Sequence, residues 1–280
     1  GWTGIRQTYK HIFISTAIVR PGPRAGQNEW MDAPQAIPGA PVIGIVGSAG
    51  AYGRWLCRFF ERRMGLPVLG HDPADADGAS PEALIERADV LLFAAPIRAT
   101  AALIDDYAAL AGGREAGRLW LDVTSIKQAP VAAMLRSRAE VVGLHPMTAP
   151  PKAPTLKGRV VVVCEARLSR WRPWLATLLD ALEGEYVEAT PERHDRVMAL
   201  VQAMVHASHL AQAGVLRSYA GTLGAPAGLM PFRSASFELD AAIAARILSL
   251  NPAIYEDIQF GNPYAGEVLD RLLEQLDGLR

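Results

Sequence analysis

The chain has 280 residues, 50% of them hydrophobic, which is enough for a sizeable core and two domains. Lys and Arg total 28 against 29 Asp and Glu, a formal net charge of −1, so nucleic acid and anionic membrane, which both call for a basic patch, are not expected partners. The two cysteines, Cys57 and Cys164, lie far apart in apolar surroundings and support neither a disulfide framework nor a metal cluster, and no apolar run approaches a membrane span or a secretion signal, so a cytoplasmic setting is expected.

Residues 1–40 read as a poorly structured extension. Pro21, Gly22, Pro23, Gly26, Pro34, Pro38 and Gly39 surround one short apolar patch near Ile12 to Val19. The chain starts at Gly1 and Met31 lies just ahead of the first apolar run, so native translation is expected to begin at Met31.

The stretch VIGIVGSAGAYGR, Val42 to Arg54, organises the domain behind it. Val42, Ile43, Ile45 and Val46 predict a buried parallel strand that enters a turn at Gly47, Gly50 and Gly53 and then a helix from Ala51 to Met64. Such a turn lets the backbone close on a pyrophosphate, with the free N–H groups of the helix start presented to it. The pattern is off the usual G-x-G-x-x-G, because Ser48 stands at the first glycine and Gly47 one place earlier. Gly47, Ser48, Gly50, Ala51, Tyr52 and Gly53 are the candidate cofactor residues. A second strand, Pro67 to His71, is followed by Asp72, 19 residues after Gly53. An acid there can bond the adenosine ribose and repel a 2′-phosphate, favouring NAD over NADP; otherwise it is a turn residue before Pro73.

Alternation then continues: helix Pro81 to Ala88, strand Val90 to Ala95, helix Ala99 to Leu110, strand Arg118 to Val123, helix Ala129 to Arg136, strand Val141 to Leu144. Strands Arg159 to Cys164 and Tyr186 to Ala189 extend the sheet around a helix from Trp171 to Leu182. This is an α/β pattern, a Rossmann-type parallel sheet over residues 41–190 covered on both faces. Beyond Pro191 only helices are expected: Glu192 to Ser218, Ala235 to Leu250, Ala253 to Phe260 and Gly266 to Leu279, with turns at Gly221 to Pro231. Residues 191–280 therefore form an all-helical C-terminal domain for substrate binding. It carries more apolar side chains than it can bury alone, so a homodimer through this domain is expected.

In an open parallel sheet ligands bind beyond the C-terminal strand ends. Ala95, Pro96 and Ile97 follow the third strand, Asp122 to Lys127 the fourth, and His145 to Pro150 the fifth. A neutral His145 can accept a substrate hydroxyl proton as hydride leaves the same carbon, or else only pack at a strand end. Ser125 fits a helix cap, a partner of the imidazole, or both. In LDAAIAARILSL, Arg246 lies among apolar residues, and a buried guanidinium needs a carboxylate, from a dianionic substrate or from Asp240 or Glu238. His206 shares a helix face with Gln202, one turn away, with His209 three residues on.

The order VGSAGAYGR, FAAPI, LDVTSIK, GLHPMTAP, ERHDRVMALVQAMVH and ARILSLNPAIYEDI resembles the prephenate dehydrogenase family from Val42 to about Leu279. The resemblance implies NAD-dependent oxidative decarboxylation of prephenate to 4-hydroxyphenylpyruvate in tyrosine biosynthesis. It makes His145 the catalytic histidine and Ser125 its partner, and places Arg246, His206, Gln202, Thr148 and His194 at the substrate, a small dicarboxylate; His194, near a helix start, has domain anchoring as its other reading. Two departures bear on the substrate. Thr148 and Ala149 stand where relatives carry a bulkier aromatic and a glycine, and Glu238 where some carry an arginine. Arogenate and 4-amino-4-deoxyprephenate are therefore alternative substrates, and a non-catalytic NAD-binding regulatory protein is the alternative of another class. A 3-hydroxyacid dehydrogenase is disfavoured because Val197 to Leu216 lacks the lysine those enzymes use.

Overall fold

A computed structural model describes residues 39–224 and 226–280; all but the last two residues of the proposed extension, and with them Met31, lie outside the described residues. Strands β1 (Ile43–Val46), β3 (Val90–Phe93) and β4 (Leu119–Asp122) are buried at every position, as continuous apolar runs in a doubly covered sheet should be. With β2 (Val68–His71), β5 (Glu140–Pro146), β6 (Val160–Arg167) and β7 (Glu185–Glu188) they form one seven-stranded sheet in the order β2-β1-β3-β4-β5-β6-β7.

The expected parallel arrangement holds for every neighbouring pair but one. β5 and β6 are antiparallel, with His145 opposite Val162 and a register shift at Val141/Val142. A parallel return needs a long crossover, usually helical, whereas residues 147–159 hold Pro150, Pro151 and Pro154 and no helix, so the chain turns straight back. β7 then pairs parallel with β6 after a helical crossover.

Helices α1 (Ala51–Arg58), α2 (Pro81–Arg87), α3 (Ile97–Ala111), α4 (Gln128–Leu135) and α5 (Arg172–Leu182) cover the two faces. On one, Trp55, Leu56, Phe59 and Phe60 pack with Trp171 and Trp174 over Ile43, Ile45 and Leu92. On the other, Leu84, Ile104, Tyr107 and Met134 close over Leu91, Phe93 and Trp120. These two cores clamp the strands, so the loops at their C-terminal ends are held by a rigid layer.

Among the described residues no strand follows β7. Thr190 accepts a hydrogen bond from the Arg193 N–H and Pro191 enters the first turn, which starts α6 (Pro191–Met198). A π-helical stretch, Ala199–Met204, joins α6 to α7 (Val205–Ser218), giving the predicted long helix. The predicted turn region instead holds two short helices, α8 (Ala220–Leu223) and α9 (Pro226–Leu229). α10 (Ala235–Leu248), capped by Ser234, packs on α7. α11 (Pro252–Gly261), capped by Asn251, and α12 (Ala265–Asp277) pack against the π-helical stretch. Among the described residues no helix is long and apolar enough to cross a membrane.

Candidate active site

The glycine turn sits where the strand order changes direction, with β2 on one side of β1 and β3 on the other. Gly47 has φ +87°, and a Cβ there would come within 2.7 Å of the Ala94 carbonyl oxygen, so only glycine brings this turn against the loop after β3. A Cβ on Gly53 would lie 2.0 Å from the Gly47 oxygen, which makes Gly53 the point where α1 packs on the turn. Gly50 caps α1 without a side chain, and the first turn of α1 contains no acid, so the positive helix end is left for an anion. Asp72, half-buried at the end of β2, accepts from the N–H groups of Ala49 (3.1 Å) and Ala74 (2.9 Å), which ties the acid to the glycine turn. These residues fit a dinucleotide. Ala51 is exposed beside them, and Ala95, Pro96 and Ile97 form the opposite lip, Pro96 being the residue that caps α3. Tyr52, by contrast, turns its ring into the core, edge-on to Trp55 at 5.9 Å. Ser48 is buried against Gly70, where any Cβ would meet it at 2.7 Å.

His145 lies on the last turn-ward residues of β5 and is 2% exposed. Its Nδ1 is 2.8 Å from Nε2 of His194, and its Nε2 is 3.4 Å from the Gln202 side-chain nitrogen. His194 and Gln202 are eight residues apart, and on a straight α-helix they would point about 80° apart. The wider π-helical turn over Ala199–Met204 absorbs most of that difference and brings both onto the one ring.

Behind His194 lies a buried polar layer. Nδ1 of His194 is 2.7 Å from Asp195 Oδ1, which also accepts the Lys127 N–H at 2.8 Å; Oδ2 accepts the Gln128 N–H at 2.9 Å. Asn262 donates to the Asp195 carbonyl at 2.7 Å, so the residue after α11 and the loop before α4 both hold the start of α6. The Lys127 ammonium is wholly buried, pairs with Asp122 and donates to the Leu144 carbonyl at 2.8 Å, while Thr124 Oγ1 donates to the same carboxylate at 2.6 Å. Gly143 makes room for it: a Cβ there would meet Lys127 Cδ at 2.9 Å. Burial, and after it the positive charge that His194 or Lys127 would set beside an imidazolium, holds the His145 imidazole well below its ordinary value, and burial lowers His194 as well. Both rings are thus poised as neutral bases.

Not every predicted residue reaches the imidazole. Ser125 is half-buried in the loop after β4 but makes no hydrogen bond to the ring, whose partners are His194 and Gln202. Thr148 is half-buried just past β5, its hydroxyl donating to the Ala149 carbonyl at 3.0 Å. His206 packs edge-on to Tyr255 at 4.8 Å, with Nδ1 buried and without a partner among the described residues; Gln202 Oε1 is in the same condition. His194, placed at the substrate by the resemblance, is 1% exposed with both ring nitrogens engaged, so it stands behind His145.

The expected burial of Arg246 needs correction. Its side chain is exposed on α10, because the apolar residues around it in sequence are themselves largely turned outward, Leu239 at 67% and Leu248 at 63% exposure. Neither suggested internal partner holds it: Glu238 pairs with Arg233, and Asp240 faces His209 at 3.4 Å. Its charge acts on the Tyr255 phenol, opposing the upward shift that burial gives that group. Gln202 of the helical domain thus meets His145 of β5, His206 one turn further on packs on Tyr255, and Arg246 acts on the same phenol.

Asp195 and Asn262 do not stand out from sequence, and Asp122 and Lys127 do so only as the bounds of the loop after the fourth strand. The dipeptide His194-Asp195 opening a helix, and a lysine in the loop after a strand ending in Asp122, are the signals that point to them.

A Rossmann-type sheet with a glycine crevice, followed by a helical domain that closes over a buried histidine, defines a dinucleotide-dependent enzyme class. The chain belongs to the prephenate dehydrogenase family: residues 74–189 match the model of the prephenate dehydrogenase nucleotide-binding domain, and residues 190–280 that of the prephenate dehydrogenase dimerization domain. It is 28% identical over 84% of its length to a probable arogenate/prephenate dehydrogenase of Methanocaldococcus jannaschii, covering 55% of that protein. It is 29% identical over 84% of its length to a T-protein of Haemophilus influenzae, covering 60% of it, so the chain spans little more than half of these two relatives. With a 4-amino-4-deoxyprephenate dehydrogenase of Streptomyces pristinaespiralis it shares 32% identity, with 81% of this chain and 80% of that protein covered. In fold it is similar to a prephenate dehydrogenase from A. aeolicus solved with hydroxyphenyl propionate and NAD+, at TM-score 0.69 and 18% identity over 88% of this chain and 91% of that one.

Proposed function

We propose that the protein catalyses NAD-dependent oxidative decarboxylation of prephenate to 4-hydroxyphenylpyruvate, as a cytoplasmic homodimer. The observation that carries this reading is the buried His145, with one ring nitrogen facing Gln202 of the helical domain and the other held from behind by His194. NAD, when bound, supplies the hydride acceptor. His145 Nε2 takes the proton of the ring hydroxyl as that carbon is oxidised. Loss of the ring carboxylate as carbon dioxide aromatises the ring, and the phenolate so formed takes the proton back. Aromatisation drives the reaction, so the chain's task is positioning and one proton acceptor.

Ser125 contributes its hydroxyl to the reacting oxygen from the loop after β4. Gln202 and His206 supply the buried polar atoms that face the substrate, and Arg246 receives a substrate carboxylate in a bidentate grip. Uncovered apolar side chains on the helical domain, such as Val215 at 58% and Leu239 at 67% exposure, support the dimer. The match to the Streptomyces pristinaespiralis protein over most of both lengths favours 4-amino-4-deoxyprephenate as a second reading.

The test is to offer prephenate, arogenate and 4-amino-4-deoxyprephenate side by side with NAD, following NADH by absorbance and carbon dioxide by trapping. Prephenate is expected to give the highest kcat/KM. Preference for the amino compound would select the second reading, and NAD binding without turnover of any of them would select the non-catalytic one.

A further inference from the structure

Asp195, which touches neither the glycine crevice nor the open side of His145, has the chemistry to decide which nitrogen of His145 carries the proton. Both of its oxygens already accept backbone N–H groups, from Lys127 at 2.8 Å and Gln128 at 2.9 Å, so the atom that faces His194 is an acceptor. His194 must then donate from Nδ1 across the 2.7 Å contact. A neutral ring that carries its proton on Nδ1 has a lone pair on Nε2, and that lone pair lies 2.8 Å from Nδ1 of His145. Nδ1 of His145 must therefore carry a hydrogen, which leaves Nε2 bare on the side where Gln202 reaches it.

We infer that His194 and Asp195 form a positioning relay that fixes His145 in the tautomer with a free Nε2, and that compensates the charge on His145 once that nitrogen has taken a proton. The ordering is built from two backbone N–H groups where α4 begins, those of Lys127 and Gln128, and the Lys127 ammonium pins this segment to Asp122 and the Leu144 carbonyl. Burial keeps both rings neutral, as the chain of donors requires. Since His194 is 1% exposed and Asp195 wholly buried, neither reaches a bound substrate itself, and what they do to it runs through the His145 imidazole and the segment that carries it. An alanine at 195 takes away the acceptor that the His194 Nδ1 proton needs, so neither ring's proton is any longer held to one nitrogen and part of the His145 population carries it on Nε2.

The inference rests on the reading of His145 as proton acceptor, and its test separates the two. In the full chain labelled with nitrogen-15 histidine, two-bond nitrogen–proton correlations report the tautomer of each ring, His145 being assigned by the signals lost in His145→Asn. The wild type is expected to show His145 protonated on Nδ1. Asp195→Ala is expected to show it protonated in part on Nε2, with kcat lower by on the order of tenfold or more and KM within about threefold. His145 protonated on Nε2 in the wild type overturns the inference, whether or not the variant folds. So does a folded Asp195→Ala that keeps its tautomer or its kcat. Absence of turnover in the wild type would remove the proposed reaction while leaving the tautomer result to be read by itself.

Discussion

The Gln202 side-chain nitrogen stands 3.4 Å from Nε2 of His145, reaching from the π-helical stretch of the helical domain to the C-terminal end of β5. The separation is at the edge of hydrogen bonding, and the amide oxygen of Gln202 is buried without a partner among the described residues. We propose that Gln202 orients a group bound between the two domains. Gln202→Leu is expected to lower kcat/KM by about tenfold through KM and kcat together, with unchanged thermal stability. Steady-state kinetics on prephenate check this, and unchanged constants would take Gln202 out of the site.

Gly53 is the contact between α1 and the glycine turn, where an added Cβ would lie 2.0 Å from the Gly47 oxygen. Gly53→Ala is expected to cost roughly 1–3 kcal/mol of stability by overpacking, and to weaken NAD binding because the turn must shift. Thermal unfolding and a fluorescence titration with NAD measure both effects. A variant with wild-type affinity and melting temperature would show that the turn tolerates displacement.

Lys127 and Asp122 are both fully buried. Lys127→Met removes the cation and leaves the Asp122 carboxylate, among the described residues, with the Thr124 hydroxyl and N–H, so a loss of about 3–5 kcal/mol is expected, read from the urea midpoint at constant m-value. Replacing both partners by apolar residues should recover most of the loss, since no lone buried charge then remains. A single variant as stable as wild type would mean that the pair contributes nothing to the junction.

Burial, with His194 and Lys127, holds His145 below its ordinary value of 6.5, and burial does the same to His194. As pH falls below about 6.5 the unfolded chain binds protons that the folded chain excludes, so stability, fully present above that pH, is lost as pH falls toward the folded values. The acid limb of kcat/KM should likewise lie below pH 6.5, because protonation of free His145 is deferred. Urea midpoints and kcat/KM across roughly pH 4.5 to 8 check both. An acid limb above about 6.5 would contradict the buried, neutral imidazole.

Much of the fold is legible in periodicity. β1, β3 and β4 are uniformly apolar because both their faces are covered, and Gly47, Gly50 and Gly53 mark a turn whose tight contacts leave no room for side chains. The reversal at β6 is not, because a strand's apolar pattern is the same in either direction; only Pro150, Pro151 and Pro154, which leave no helix to carry a parallel crossover, hint at it. Around the site, His145 and Gln202 stand out by position, whereas Asp195 does not, since a carboxylate in the first turns of a helix looks like an ordinary dipole partner until β5 and the loop at Lys127 close over it. Arg246 misleads for the opposite reason: apolar neighbours in sequence suggest burial, yet the face of α10 that carries them is largely uncovered in one chain.

Comparison of the wild type with His145→Asn on prephenate and NAD tests the central claim most directly. Wild type should form NADH and carbon dioxide in equal amounts. The variant should bind prephenate with similar affinity in a calorimetric titration while kcat falls by on the order of a hundredfold or more. Near wild-type turnover by His145→Asn would contradict the assignment of His145 as the proton acceptor.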